Sequence, residues 1–168
     1  MPLDFDNLVA TYYEALYRFA YSLTRSEADA RDLTQQTFCI WAAKGSQLKD
    51  NSKVKCWLFT TLHRAFLETH RRTTRFPHFE LGQMEAELPQ LSPASVSEAD
   101  THQALSALEQ LDEGYRSAVA LFYLEDYAYK EIAQILNVPL GTVKSRIARG
   151  LNQLHKLLSY SVAMEPAA

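Results

Sequence analysis

Tyr129-Lys-Glu-Ile-Ala-Gln-Ile-Leu136, Asn137-Val-Pro139 and Leu140-Gly-Thr-Val-Lys-Ser-Arg146 follow one another and read as two helices joined by a tight turn. Ile132, Ala133 and Leu136 give the first helix its buried face. Asn137 suits the left-handed conformation that ends a helix, and Pro139 is tolerated where the next one starts. At about 100° per residue, Val143, Ile147, Leu151, Leu154 and Leu158 share one stripe of the second helix. Ser145 and Arg149 fall nearly opposite, Thr142 lies beside them, and Lys144 and Arg146 sit on the flanks. Short polar groups and a long Arg then face a major groove, with cations placed beside phosphates. A solvated face on a core helix is the plainer reading of Arg149 alone. The turn chemistry, the spacing and the absence of acids together favour DNA contact. For Thr142 and Ser145, bases and phosphates both remain open.

Outward from this motif the charge is strongly patterned. The 168-residue chain has a formal net charge of −3, which disfavours a general nucleic-acid coat. From Pro77 to Tyr115, however, Glu80, Glu85, Glu87, Glu98, Asp100, Glu109, Asp112 and Glu113 stand without one Lys or Arg. From Ile132 to Met164 the charges are Lys144, Arg146, Arg149 and Lys156, with no acid. Arg64, Arg71, Arg72 and Arg75 form a second basic patch. Local patches of this kind govern DNA binding more than the total charge does. Hydrophobic residues make up 47% of the chain, enough for a packed core. The start, Met-Pro-Leu-Asp-Phe-Asp, is not secretory, and the longest apolar stretch, Ala118 to Leu124, is too short for a bilayer. Cys39 and Cys56 are too far apart for a CxxC motif, so a reduced, cytoplasmic protein is expected.

Periodicity predicts an all-α fold. A first helix covers 5–24, with Leu8, Tyr12, Leu16, Phe19, Ala20 and Leu23 inward. Ser26 reads as an N-cap, and Asp29 completes a near capping box. The second helix runs to about Lys44 on Ala30, Leu33, Thr37, Ile40 and Trp41; Gly45 to Lys53 reads as a loop. The third covers about Val54 to Arg72, with Trp57, Leu58, Leu62 and Ala65 as its core stripe. Pattern dissolves over 76–100, where Pro77, Pro89 and Pro93 suggest a flexible acidic linker rather than a folded loop. Helices resume near Thr101, with Tyr115 to Leu124 apolar enough to be central. The expectation is two small helical domains, 1–75 and 101–168, joined by the linker 76–100, the second carrying the helix-turn-helix.

Two faces of the first domain invite partners. Asp32, Gln35, Cys39 and Phe38 lie off the core stripe of the second helix; an exposed Phe among polar groups suggests a protein partner. The alternative is a surface helix with one half-covered ring. On the third helix, Phe59, His63, Phe66 and His70 share a stripe roughly 130° from the core stripe. Flat rings beside Arg64 and Arg71 suit unstacked bases and a single-strand backbone. Packing of Phe59 and Phe66 against other helices stays equally open.

These residues resemble a known family. Tyr129-Lys-Glu-Ile-Ala with Pro139-Leu-Gly-Thr-Val-Lys-Ser-Arg146 is similar to the promoter-reading helix-turn-helix of extracytoplasmic-function (ECF) sigma factors. Asp29-Ala-Arg-Asp-Leu-Thr-Gln-Gln-Thr-Phe38 resembles their polymerase-binding segment, and Trp57-Leu-Phe-Thr-Thr-Leu-His-Arg64 the segment that melts and reads the minus-ten element. The family usually has Arg-Asn at His63-Arg64, Asp at Glu68, Pro at Asp112 and Gly at Asn137. The resemblance implies that Asp29, Asp32, Gln35, Gln36 and Phe38 bind core RNA polymerase at its β′ coiled coil. It implies minus-ten DNA contacts from Phe59, His63, Arg64, Phe66, His70 and Arg71, with the 44–53 loop pocketing a flipped base. Gly141, Thr142, Lys144, Ser145, Arg146 and Arg149 would then read the minus-thirty-five element, and the second domain would touch the β flap. An anti-sigma factor is a further expected partner.

Enzyme readings find little support. His63, His70, His78, His102 and His155 lack metal-ligand spacing, and no P-loop, GxSxG or dinucleotide fingerprint is present. No catalytic residue, cofactor, metal or membrane insertion is expected. An autonomous regulator that binds operators as a dimer through the Leu151–Leu158 region is the alternative; it leaves the first domain without a role.

Overall fold

The computed structural model describes residues 3–71, 103 and 106–163, with the backbone alone at 71 and 160–163. All regular structure among them is helical: α1 (Phe5–Thr24), α2 (Glu27–Lys44), α3 (Val54–Arg71), α4 (Glu113–Tyr123), α5 (Tyr129–Leu136) and α6 (Leu140–Ala163). The expected linker, 76–100, lies outside the described residues.

Local chemistry sets the helix ends. Arg25, at φ 57°, ends α1 in the left-handed region and donates its N–H to Tyr21 O. The Ser26 hydroxyl accepts from the Asp29 N–H and starts α2, as its sequence position predicts. Between α2 and α3 the chain makes two short 3-10 turns, Gly45–Gln47 and Asn51–Lys53. Gly45 is required there, because a Cβ would sit 2.5 Å from the Trp41 ring.

α1, α2 and α3 pack on one another around Leu16, Phe19, Leu33, Leu58 and Leu62. Thr34 and Thr37 are buried within α2 without penalty, since their hydroxyls donate to Ala30 O and Leu33 O. In the second half, α4 packs on α6 while α5 lies between α6 and α3. The two halves share one continuous apolar core: Phe59 and Leu62 belong to the same cluster as Leu121, Ile132 and Ile147. A smaller cluster joins Leu108, Leu111 and Val119 to Leu154 and Leu157.

The α4–α6 crossing depends on close approach at Gly150. A Cβ there would lie 2.5 Å from Val119 Cγ2 and 3.3 Å from Tyr115 Cβ. Gly150→Ala should therefore overpack the crossing and lower stability by about 1–3 kcal/mol, despite the better helix propensity of Ala. Urea unfolding of the two proteins checks this.

Candidate nucleic-acid and polymerase interfaces

The helix-turn-helix forms as the sequence predicts. Ile132, Ile135 and Leu136 are buried. The Glu131 carboxylate accepts from the Ala128 N–H at 2.9 Å, satisfying a donor ahead of α5. Asn137 adopts φ 54° and ψ 51°, and the Val138 N–H donates to Ala133 O. Pro139 O accepts from Thr142 and Val143, so α6 begins directly after the proline. Val143, Ile147 and Leu151 are buried, while Leu154 and Leu158 are half-buried.

The outer face of α6 is more divided than its periodicity implies. Gly141 and Lys144 are exposed; Thr142 and Arg149 are half-buried. The Ser145 hydroxyl oxygen is buried with no hydrogen-bond partner. Arg146, expected on a phosphate-contacting flank, is half-buried, as Thr142 and Arg149 are. It lies near enough to His63 of α3 and Tyr115 of α4 to act on the one electrostatically and to be acted on by the other.

On α2, Asp29, Asp32, Gln35, Gln36 and Cys39 are exposed and fall on one contiguous arc. Phe38 does not join them. It is 5% exposed, edge-on to Phe5 and stacked with Tyr13. The exposed Phe expected from the sequence is thus a core residue, covered by the first turns of α1.

The ring stripe of α3 requires a larger correction. Phe59 is fully buried between Phe19 of α1, 5.4 Å away between ring centroids, and Tyr127 of the second half, 5.3 Å away. His63 and Phe66 are also buried. His70 stacks on Phe66 at 5.1 Å, and its Nε2 lies 3.2 Å from a carboxylate oxygen of Glu113. The stripe is separate from the α1–α2 core stripe, as predicted, but it faces the second half rather than solvent. Arg64 lies on the opposite, exposed side, and the Arg71 side chain is outside the described residues.

Around the stripe lies a polar seam that the sequence reading missed. Arg18 Nε is 3.0 Å from Glu125 Oε1. Burial raises the Glu125 carboxyl above its usual range, against the opposing pull of Arg18 and Lys55. Lys55 Nζ lies 3.4 Å from Glu125 O and sits over the Tyr127 ring. Arg116 Nη1 donates to Ser22 O and Leu23 O at 3.2 and 3.1 Å. An Arg inside the apolar run Tyr115–Leu124 was the available signal, since a buried guanidinium needs acceptors.

Residues 8–76 match sigma-70 region 2, and residues 101–154 match sigma-70 region 4. The chain is 30% identical to the ECF RNA polymerase sigma factor SigM of Bacillus subtilis over 95% of its own length and 98% of that protein. The chain belongs to the ECF sigma factors. It is also 35% identical to SigE of Mycolicibacterium smegmatis, spanning 63% of that longer protein. Among solved structures, the sigma factor RpoE in complex with the anti-sigma factor NepR from Bartonella quintana superposes with a TM-score of 0.72 at 29% identity. The superposition covers 93% of this chain and 97% of that one. Family membership displaces the reading as an autonomous operator-binding dimer. No helix among the described residues of this sigma factor is long and apolar enough to cross a membrane.

His63 makes the packing sensitive to pH. Burial first, then Arg146 and Arg64, hold its pKa down to about 4. Above pH 6.5 the imidazole is neutral folded or unfolded. As pH falls through 6.5 toward 4, the unfolded chain takes up a proton that the folded one refuses, so stability falls. At pH 5.5 this amounts to about 1.4 kcal/mol. The difference in unfolding free energy between wild type and His63→Gln, from urea titrations, should shift by that amount between pH 7.5 and 5.5, the wild type losing more.

Proposed function

We propose that the open α2 arc of Asp29, Asp32, Gln35 and Gln36 is the face that binds core RNA polymerase, at the coiled coil of β′. Four exposed polar side chains and Cys39 on one arc of a helix whose Ala30, Leu33, Thr34, Thr37, Phe38 and Trp41 are buried support this reading. Phe38 contributes from beneath, by fixing α2 against α1. The β flap is then the partner of the second half. Alternative-promoter recognition divides between Arg64, Arg71 and the α3 rings at the minus-ten element and α6 at the minus-thirty-five element.

On α6, Lys144 is an exposed cation without sequence-reading geometry, suited to phosphate. Arg149 is the long donor on the outward arc and can bond a guanine bidentately. Gly141 lets the backbone near Thr142 approach DNA, while Ser145 and Arg146 need the packing around them to loosen first. The protein works in the cytoplasm, where polymerase is, and contributes no catalytic step; nucleotide addition belongs to the polymerase. The likeness to RpoE, solved with NepR, supports an anti-sigma factor as a further partner.

Binding of the purified protein to core polymerase, followed by run-off transcription on a promoter library, tests the reading. Asp32→Ala with Gln35→Ala should weaken core binding about tenfold or more, a loss near 1.4 kcal/mol, with unchanged helicity. Wild-type protein that ignores core polymerase would overturn it.

Arg149→Ala should cost about 1–3 kcal/mol and relax preference at one promoter position. Lys144→Ala should weaken all promoters alike and lower the salt slope by about one unit. Selections at two salt concentrations separate the two; a uniform loss in Arg149→Ala would make Arg149 a phosphate contact.

A further inference from the structure

We propose that Leu140 reads a thymine in the minus-thirty-five element, its side chain packing on the C5-methyl group in the major groove. This rests on the reading that α6 lies on that element. At about 100° per residue, Leu140 falls on the same stripe as Val143, Ile147 and Leu151. Those three are buried, but Leu140 is 36% exposed. The apolar stripe thus runs about one turn past the core it serves. It does so at the end of α6 where Asn137, Pro139, Gly141 and Lys144 are exposed as well.

Gly141 points to a partner at the same place. Its φ is not positive, and a Cβ built there meets nothing within 4 Å. Neither backbone conformation nor packing among the described residues calls for glycine, and glycine weakens a helix relative to Ala. What its small size serves therefore lies outside this packing. The surroundings select the partner. Lys144 follows Leu140 by four residues and lies on the same side of the helix, and no acid occurs from Ile132 to Met164. A cation beside an apolar tip fits a phosphate beside a base edge. Of the four bases, only thymine presents a methyl group in the major groove. Leucine covering any donor or acceptor there would leave it unpaired, so the side chain both favours thymine and disfavours its competitors.

Holoenzyme assembled from the full chain and core polymerase, on a promoter that the wild type selects from a library, tests this. Each thymine of the minus-thirty-five element is replaced in turn by deoxyuridine, which removes the methyl group and keeps the base pair. For the wild type, one replacement should weaken promoter binding about fourfold, as for one buried methyl group. Leu140→Ala should lose about the same factor on the thymine promoter and show no further loss at that position. Its response to every other replacement should match the wild type. Leu140→Met, which keeps an apolar side chain of similar reach, should retain the discrimination, and both variants should keep wild-type helicity. A selected element without thymine would overturn the assignment. So would losses from Leu140→Ala and from each replacement that simply multiply. Lys144→Ala then locates the fault. If it still weakens every promoter, α6 lies on DNA and only the role of Leu140 falls. If it too has no effect, the reading of α6 falls and takes this proposal with it.

Discussion

The guanidinium of Arg116 enters the last turn of α1, and much of the molecule's arrangement follows from that insertion. Ser22 and Leu23 belong to the final turn of α1, where carbonyls lack partners within the helix and the macrodipole presents its negative end. Arg116 supplies donors to both, and its other nitrogen, Nη2, lies 2.9 Å from Leu111 O. Burial lowers the Arg116 pKa, the cost of holding a cation there, and the carbonyls compensate for it. Because Arg116 sits on α4, the insertion aligns α4 beside α1. The turn at 124–128 then brings Glu125 against Arg18 and Tyr127 against Phe59.

This alignment treats the two expected working surfaces of the first half differently. The polar arc of α2 points away from the second half and stays open, so a protein partner has access in the docked arrangement. The ring stripe of α3 points toward the second half and is closed. α6 is divided in the same way: Lys144 and Gly141 face solvent, whereas Arg146 is half-buried and the Ser145 hydroxyl is buried. The two proposed surfaces are thus exposed to different degrees in the docked arrangement.

Much of the local structure was legible in residue order because its causes are local. Ser26, Asn137 and Pro139 act within one turn of the backbone they terminate or start, and the apolar stripes of α1, α5 and α6 follow from 3.6-residue periodicity. The α2 arc was legible for the same reason, since four of its five members are polar. Phe38 was expected outside the core, and Phe59 and Phe66 stayed open between core and surface, because an aromatic side chain off the main stripe looks the same whether its second partner is a ligand or a distant part of the chain. Arg25 and Asp126 also escaped notice; both hold positive φ, Arg25 as the residue that ends α1 although Arg is not a usual left-handed cap.

The sequence by itself determined that this chain is helical, where its helices begin and end, that it carries a helix-turn-helix with cations and no acids, and that α3 has two apolar stripes. Each of these depends on interactions within a few residues. Only the tertiary structure decided what the second stripe touches, that Phe38 is core, and that the Ser145 hydroxyl is buried. Those outcomes turn on contacts such as Arg18 with Glu125, 107 residues apart. Periodicity identifies an apolar face, but which surface covers that face depends on how distant segments pair their charges and fit their volumes.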